Sequence, residues 1–122
     1  MSLKKRAASF RFAFRGLIDL FKSQANARIH VAAAAAVVLA GVYFQISRTE
    51  WIAVTVCILL VFSLEAMNTA IEYLTDLVSS DLHPLAGKAK DVAAAAVLLA
   101  ALGAILIGLI IFLPRILPCF ST

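Results

Sequence analysis

The 122-residue chain predicts an all-α membrane protein, with three transmembrane helices preceded by an N-terminal amphipathic interfacial helix. Three observations carry that expectation. The composition is 63% hydrophobic and only 15% charged, whereas soluble domains are roughly a quarter charged. The apolar residues are gathered into runs long enough to cross a bilayer, and the cations sit outside those runs, most of them before the first. The mean hydropathy of +0.99 and the short length suit one integral membrane domain over residues 1–122.

The first element is expected over residues 3–28. Leu3, Ala7, Phe10, Phe14, Leu17 and Phe21 recur at steps of three and four, while Lys4, Arg11, Arg15, Asp19 and Lys22 occupy another sector. Aromatics on one side and cations on the other describe a helix lying in the membrane interface. Its cations suit anionic headgroups or, alternatively, a phosphate-bearing ligand. A cleavable signal peptide fits less well, because the basic region extends to Arg28 and two further apolar segments follow the first.

The three spans are expected at 29–46, 51–76 and 84–113. A hydrocarbon core of ~30 Å needs about 20 helical residues. Ile29 to Ile46 is nearly free of charge, and Val92 to Leu113 is an unbroken apolar run. Trp51 to Leu64 is apolar, and the helix should continue to Asp76 because neither Pro nor Gly interrupts it. Pro84 suits the first turn of the last helix. Seven cations from Lys4 to Arg28 precede the first span and Lys88 and Lys90 precede the third, so both regions should be cytoplasmic, opposite Arg48 and Arg115. Cys57 lies within a span and Cys119 beyond the last, which offers neither a disulfide framework nor metal-ligand spacing.

Chemistry is concentrated where the second span acquires charge. Glu65, Asn68, Glu72 and Asp76 fall on a single stripe of that helix. Glu65 should lie about 21 Å along from Trp51, inside the inner half of the hydrocarbon, and Glu72 near its edge. An ionisable group at that depth costs of order 3 kcal/mol and needs a partner or a task. Interhelical hydrogen bonding is the bland task, but two carboxylates and an amide exceed what packing requires. Across the next loop, Asp81 closes a Ser-Ser-Asp turn and Lys88 and Lys90 follow. Carboxylates to hold a divalent metal, a lysine for phosphate and a base for a hydroxyl suit phosphoryl transfer to a lipid alcohol. Lys88 and Lys90 equally suit ordinary topogenic charges. No soluble nucleotide-binding loop supports the idea, since glycines at 16, 41, 87, 103 and 108 form neither G-x-x-x-x-G-K-[ST] nor G-x-G-x-x-G.

The stretch Glu65-Ala-Met-Asn-Thr-Ala-Ile-Glu72-Tyr-Leu-Thr-Asp76, followed by His83-Pro-Leu-Ala-Gly-Lys-Ala-Lys90-Asp91, resembles the signature of the prokaryotic diacylglycerol kinase family, which includes undecaprenol kinases. The resemblance extends over residues 10 to 110 or so. It implies a homotrimer in the bacterial inner (cytoplasmic) membrane, multi-pass, with a cytoplasmic N-terminus. Its partners would be ATP, a membrane lipid alcohol and the bilayer, with no nucleic acid, and its metal Mg2+. By the same resemblance Glu65 acts as base on the lipid hydroxyl, and Glu72 binds metal. Asp81, His83, Lys90 and Asp91 line the ATP site, Asn68 supports the reacting centre, and Arg28 and Trp51 contact lipid.

The sequence departs from the family pattern at two places. Gln24 stands where the family carries a second metal-binding glutamate, and it offers only a neutral oxygen. Phe12 replaces an aromatic hydroxyl of the ATP site, and an arginine of that site aligns near Lys5 or Arg6. Asn26-Ala-Arg28-Ile-His30 is more similar to the undecaprenol kinase branch than to the diacylglycerol branch, which favours the polyprenol slightly. Two other classes compete: a proton-coupled transporter using Glu65 alone, and a non-catalytic membrane subunit whose acidic stripe only sets packing.

Overall fold

Four helices follow one another along the chain: α1 (Leu3–Ser23), α2 (Ala25–Phe44), α3 (Arg48–Val78) and α4 (Pro84–Phe120). The structure, a computed structural model, describes residues 2–79 and 83–120, with side chains described as far as Pro118. The candidate ATP residue Asp81 lies outside the described residues. Helices α2, α3 and α4 are each long and apolar enough to cross a membrane, as expected. Most of their surface is unburied within the protomer, which suits lipid or further copies of the chain.

Helix α1 opens on Ser2, whose Oγ accepts from the Lys5 amide, and it buries only Leu20. Phe10, Phe12 and Phe14 are exposed, as an interfacial helix requires. The expected surface helix over 3–28 is corrected: it stops at Ser23, because Gln24 is extended, at φ −112° and ψ 112°. The break is capped from downstream. Arg28 Nη1 donates to the Phe21 and Lys22 carbonyls at 3.1 and 2.9 Å, satisfying acceptors that a helix end leaves open. The chain thus turns from the surface into the first span four residues earlier than the apolar pattern indicates.

The other boundaries shift for equally local reasons. The first span ends at Phe44 rather than residue 46, since Gln45 adopts the left-handed conformation at φ 52° and the Ile46 amide returns to the Gly41 carbonyl. Helix α3 begins at Arg48 instead of Trp51 because Ser47 and Glu50 form a reciprocal capping box. The expected end at residue 113 for the last helix is also superseded. Helix α4 passes Pro114, where a backbone donor is missing, and Arg115 there makes a two-pronged ion pair with Glu50 at 2.7 and 2.8 Å.

That ion pair joins the start of α3 to the end of α4, beside a small apolar core of Ile46, Val54, Ile111 and Phe112 with Trp51 packed on it. Gly41 allows the closest approach in this region. A Cβ there would stand 2.6 and 2.9 Å from Trp51 Cη2 and Cζ2, and an indole ring has little freedom to yield. Gly41→Ala should therefore destabilise the protein by about 1–3 kcal/mol, the usual cost of overpacking. Unfolding in detergent checks it, with the double change Gly41→Ala/Trp51→Leu recovering part of the loss.

Candidate functional site

At the opposite end of the bundle, α3 carries its polar residues into the membrane. Helical spacing puts Glu65, Asn68, Glu72 and Asp76 on one stripe, and the structure keeps them on one continuous helix. Glu65 is 3% exposed and Thr69 4%, the buried polar residues of the described chain. Thr69 returns its hydroxyl to the Glu65 carbonyl at 2.9 Å. The Glu65 carboxylate is met from α2, where His30 Nε2 lies 3.2 Å from Oε1. Among the described residues, Oε2 makes no hydrogen bond.

One turn nearer the helix end, Asn68 Nδ2 donates to Glu72 Oε1 at 3.2 Å. The other side of the same amide is incomplete: Asn68 Oδ1 is buried and has no hydrogen-bond partner among the described residues. A buried acceptor without a donor costs of order 1–3 kcal/mol, so this oxygen is suited to a group the protein binds. Asp76 then forms an ion pair with Lys90, linking α3 to α4 at the level where the stripe ends. Asp91, next in sequence, is exposed.

His83 immediately precedes α4. Its carbonyl accepts from the Ala86 amide at 3.0 Å, and its Nδ1 accepts from the Leu85 amide at 3.1 Å, which leaves Nε2 as the ring's donor. Helix α1 is tied to α3 by Tyr73, whose hydroxyl donates to Asp19 Oδ2 at 2.7 Å. Phe12 is exposed on α1 with the Arg11 and Arg15 guanidinium groups each 5.7 Å from its ring centre. Gln24 is half-buried at the break between α1 and α2, and no hydrogen bond joins its side chain to Glu72.

Two cavities open near this stretch of α3, one reaching His30 and the other Ala66 and Thr69, and Glu65 lines neither. A groove of about 280 Å3 between α2, α3 and α4 is walled by small and apolar residues, among them Ala33, Ala34, Cys57 and Gly108, and reaches His30. A second cleft of about 500 Å3 separates α1 from α3, with Gly16, Asp19, Thr69, Ala70 and Tyr73 on its walls. Trp51 does not join this assembly; it sits fourteen residues, about 21 Å of helix, from Glu65 and packs in the core at the other end. Arg28 keeps three of its five donors after its two carbonyl contacts.

Residue spacing thus points to the stripe and its lysine but not to His30, which enters the sequence reading only within the stretch that resembles one branch. Its position one turn inside an apolar segment was the available signal. Nothing in residue spacing alone brings position 30 to position 65.

No group of three or more His, Cys, Asp or Glu among the described residues could hold a metal ion. Glu72 and the unpartnered Asn68 Oδ1 are oxygens of the kind a hard cation takes when it binds one or two carboxylates and completes its shell with water and phosphate oxygens, whereas Gln24 is not brought to them by any hydrogen bond.

A carboxylate buried on an apolar helix, with an acid–lysine pair where its polar stripe ends, agrees with the class that the comparisons give, a lipid kinase. Residues 11–112 match the model of the prokaryotic diacylglycerol kinase family. The chain is 44% identical over 108 residues to an undecaprenol kinase of Bacillus subtilis (strain 168), covering 88% of each protein. It is 40% identical over 112 residues to a diacylglycerol kinase of Synechocystis, covering 89% of this chain and 63% of that one. Against the diacylglycerol kinase of Escherichia coli (strain K12) the identity is 28% over 95 residues, 78% of each. The chain belongs to the prokaryotic diacylglycerol kinase family.

Proposed function

We propose that this lipid kinase transfers the γ-phosphoryl group of ATP to the hydroxyl of undecaprenol, in preference to that of diacylglycerol, at a site centred on Glu65. The observation that carries the proposal is the buried Glu65 carboxylate, with His30 3.2 Å from one oxygen and the other without a hydrogen bond among the described residues. The 44% identity to an undecaprenol kinase supports the choice of alcohol. Purified protein given labelled ATP, a divalent cation and each alcohol in turn tests it: labelled undecaprenyl phosphate in excess is expected, and no product from either alcohol would sink the assignment.

In this mechanism the lipid hydroxyl approaches Oε2 of Glu65 from within the membrane. Oε2 takes the hydroxyl proton as the alcohol oxygen attacks the γ-phosphorus, the bond to the β-phosphate bridging oxygen breaks, and ADP departs. Lys90 neutralises phosphate oxygens, and Asn68 orients Glu72. Asp81, His83 and Asp91 line the nucleotide side, with Phe12 and its flanking arginines on the α1 side. Arg28, through its remaining donors, holds the polar end of the lipid, while Trp51 contacts only the far part of a long tail. Glu72, assisted by Gln24 and Asn68 Oδ1, would hold Mg2+, which when bound neutralises charge on the transferring phosphate.

Because one carboxylate and neutral oxygens bind a hard cation weakly, metal should bind appreciably only together with nucleotide. Titration with Mn2+ as a spectroscopic probe should find no site tighter than millimolar in the free protein, and a much tighter one with a non-hydrolysable ATP analogue present.

We further place the protein in the inner membrane, with its N-terminus and the loop before α4 cytoplasmic, and assemble it as a homotrimer. The cation distribution supports the orientation. The largely unburied spans and the alanine-rich stretches Val31 to Ala36 and Ala93 to Ala96 support close association of copies. A transporter using Glu65 alone would tolerate changes at Glu72, Lys90 and Asp91; a kinase does not.

A further inference from the structure

We infer that His30 is a positioning residue for phosphoryl transfer: it fixes the Glu65 carboxylate through Oε1 so that Oε2 is presented to the lipid hydroxyl. The inference rests on the reading of Glu65 as the base. The geometry is a chain of contacts through three helices. His30 Nε2 stands 3.2 Å from Glu65 Oε1, and the imidazole is set edge-on to Phe62, with ring centres 6.4 Å apart at 87°. Phe62 is itself edge-on to Phe21 of α1, at 5.8 Å and 71°. Perpendicular aromatic contacts of this kind restrict ring rotation, so the imidazole direction is set by packing before any substrate arrives.

The neighbouring charged groups are otherwise engaged. Arg28, on the same helix, is turned back to the Phe21 and Lys22 carbonyls. From α3, Glu72 is bonded to Asn68, and Asp76 is paired with Lys90 of α4. From α1, Asp19 accepts from Tyr73. Among the described residues His30 is the basic group within ion-pair distance of the Glu65 carboxylate.

The chemistry favours an imidazole here over a permanent cation. A neutral imidazole offering a proton at Nε2 would suit Oε1 in either state, since Oε1 is an acceptor when residue 65 is a carboxylate and still one when Oε2 has taken the alcohol proton. The pair is satisfied on both sides of the transfer, and no proton need leave His30. A fixed positive charge at position 30 would stabilise the carboxylate before reaction and oppose its uptake of a proton.

Four purified variants, His30→Leu, His30→Gln, His30→Arg and Glu65→Gln, test this beside the parent, each first checked for unchanged retention in detergent gel filtration. His30→Leu, which keeps bulk but loses the donor, should lower kcat about 10- to 100-fold, as loss of an orienting outer partner does, with KM for ATP unchanged. His30→Gln restores a donor near the Nε2 position and should recover most of that loss; His30→Arg restores a donor but also charge and should not. Equal rates for Leu and Gln, a kcat for Leu within twofold of the parent, or recovery by Arg would overturn the inference while an inactive Glu65→Gln leaves the base intact. An active Glu65→Gln would instead overturn the base itself. If His30→Leu fails the retention check, the ratio between Gln and Arg still decides.

Discussion

Glu65→Gln should abolish lipid phosphorylation while the protein keeps its size in detergent and its helical content. The amide is isosteric, so Gln can still meet His30 and the Thr69 contact to the residue-65 carbonyl is untouched. What disappears is the capacity to take a proton at membrane depth. General-base removal commonly costs 10²–10⁴-fold, and here no other carboxylate on the stripe is buried to the same extent. Single-turnover transfer of labelled phosphate measures the loss. A rate within tenfold of the parent would mean that the alcohol is deprotonated elsewhere. The same variant separates enzyme from packing device, because a carboxylate retained only as glue between helices would make the amide nearly silent.

The second large effect is expected at Lys90. Lys90→Ala should reduce kcat/KM for ATP by about 10²–10³-fold, in keeping with removal of a preorganised charge from a phosphate site. Lys90 is also paired with Asp76, and that pair lies where α3 and α4 leave the apolar region. Asp76→Asn removes the acidic charge from the same contact yet keeps the cation, so it should cost far less than Lys90→Ala if the ammonium serves phosphate. Equal losses would assign the lysine to holding the two helices together. Steady-state kinetics over a range of ATP concentrations distinguishes the two outcomes.

How much of this was legible depends on the distance over which each feature is determined. The acidic stripe is a matter of three- and four-residue steps within one helix, and such spacing transfers directly from sequence to structure. The spans follow from length and apolar content for the same reason. The break at Gln24 was not legible, since no Pro or Gly marks it and its cap comes from Arg28 in the next helix. Pro114 reads as a stop, yet α4 continues because Arg115 is seated against Glu50, sixty-five positions earlier. His30 beside Glu65 is likewise a contact between helices. The family signature carried the expected roles of Asp81, Lys90 and Asp91, which periodicity alone does not distinguish from solvated loop charges.

The lengths of the last two helices have a consequence of their own. At ~1.5 Å per residue, α3 with 31 residues and α4 with 37 measure about 46 and 55 Å, well over the ~30 Å of a hydrocarbon slab. Rods of that size exceed the slab even when tilted, and the acidic stripe lies along one of them like marks on a ruler. From Glu65 to Asp76, where Lys90 meets it, the ruler spans some 16 Å of helix. A membrane that thickens or thins by a few ångströms slides the whole ruler by less than one helical turn and leaves the spacing of its marks unchanged.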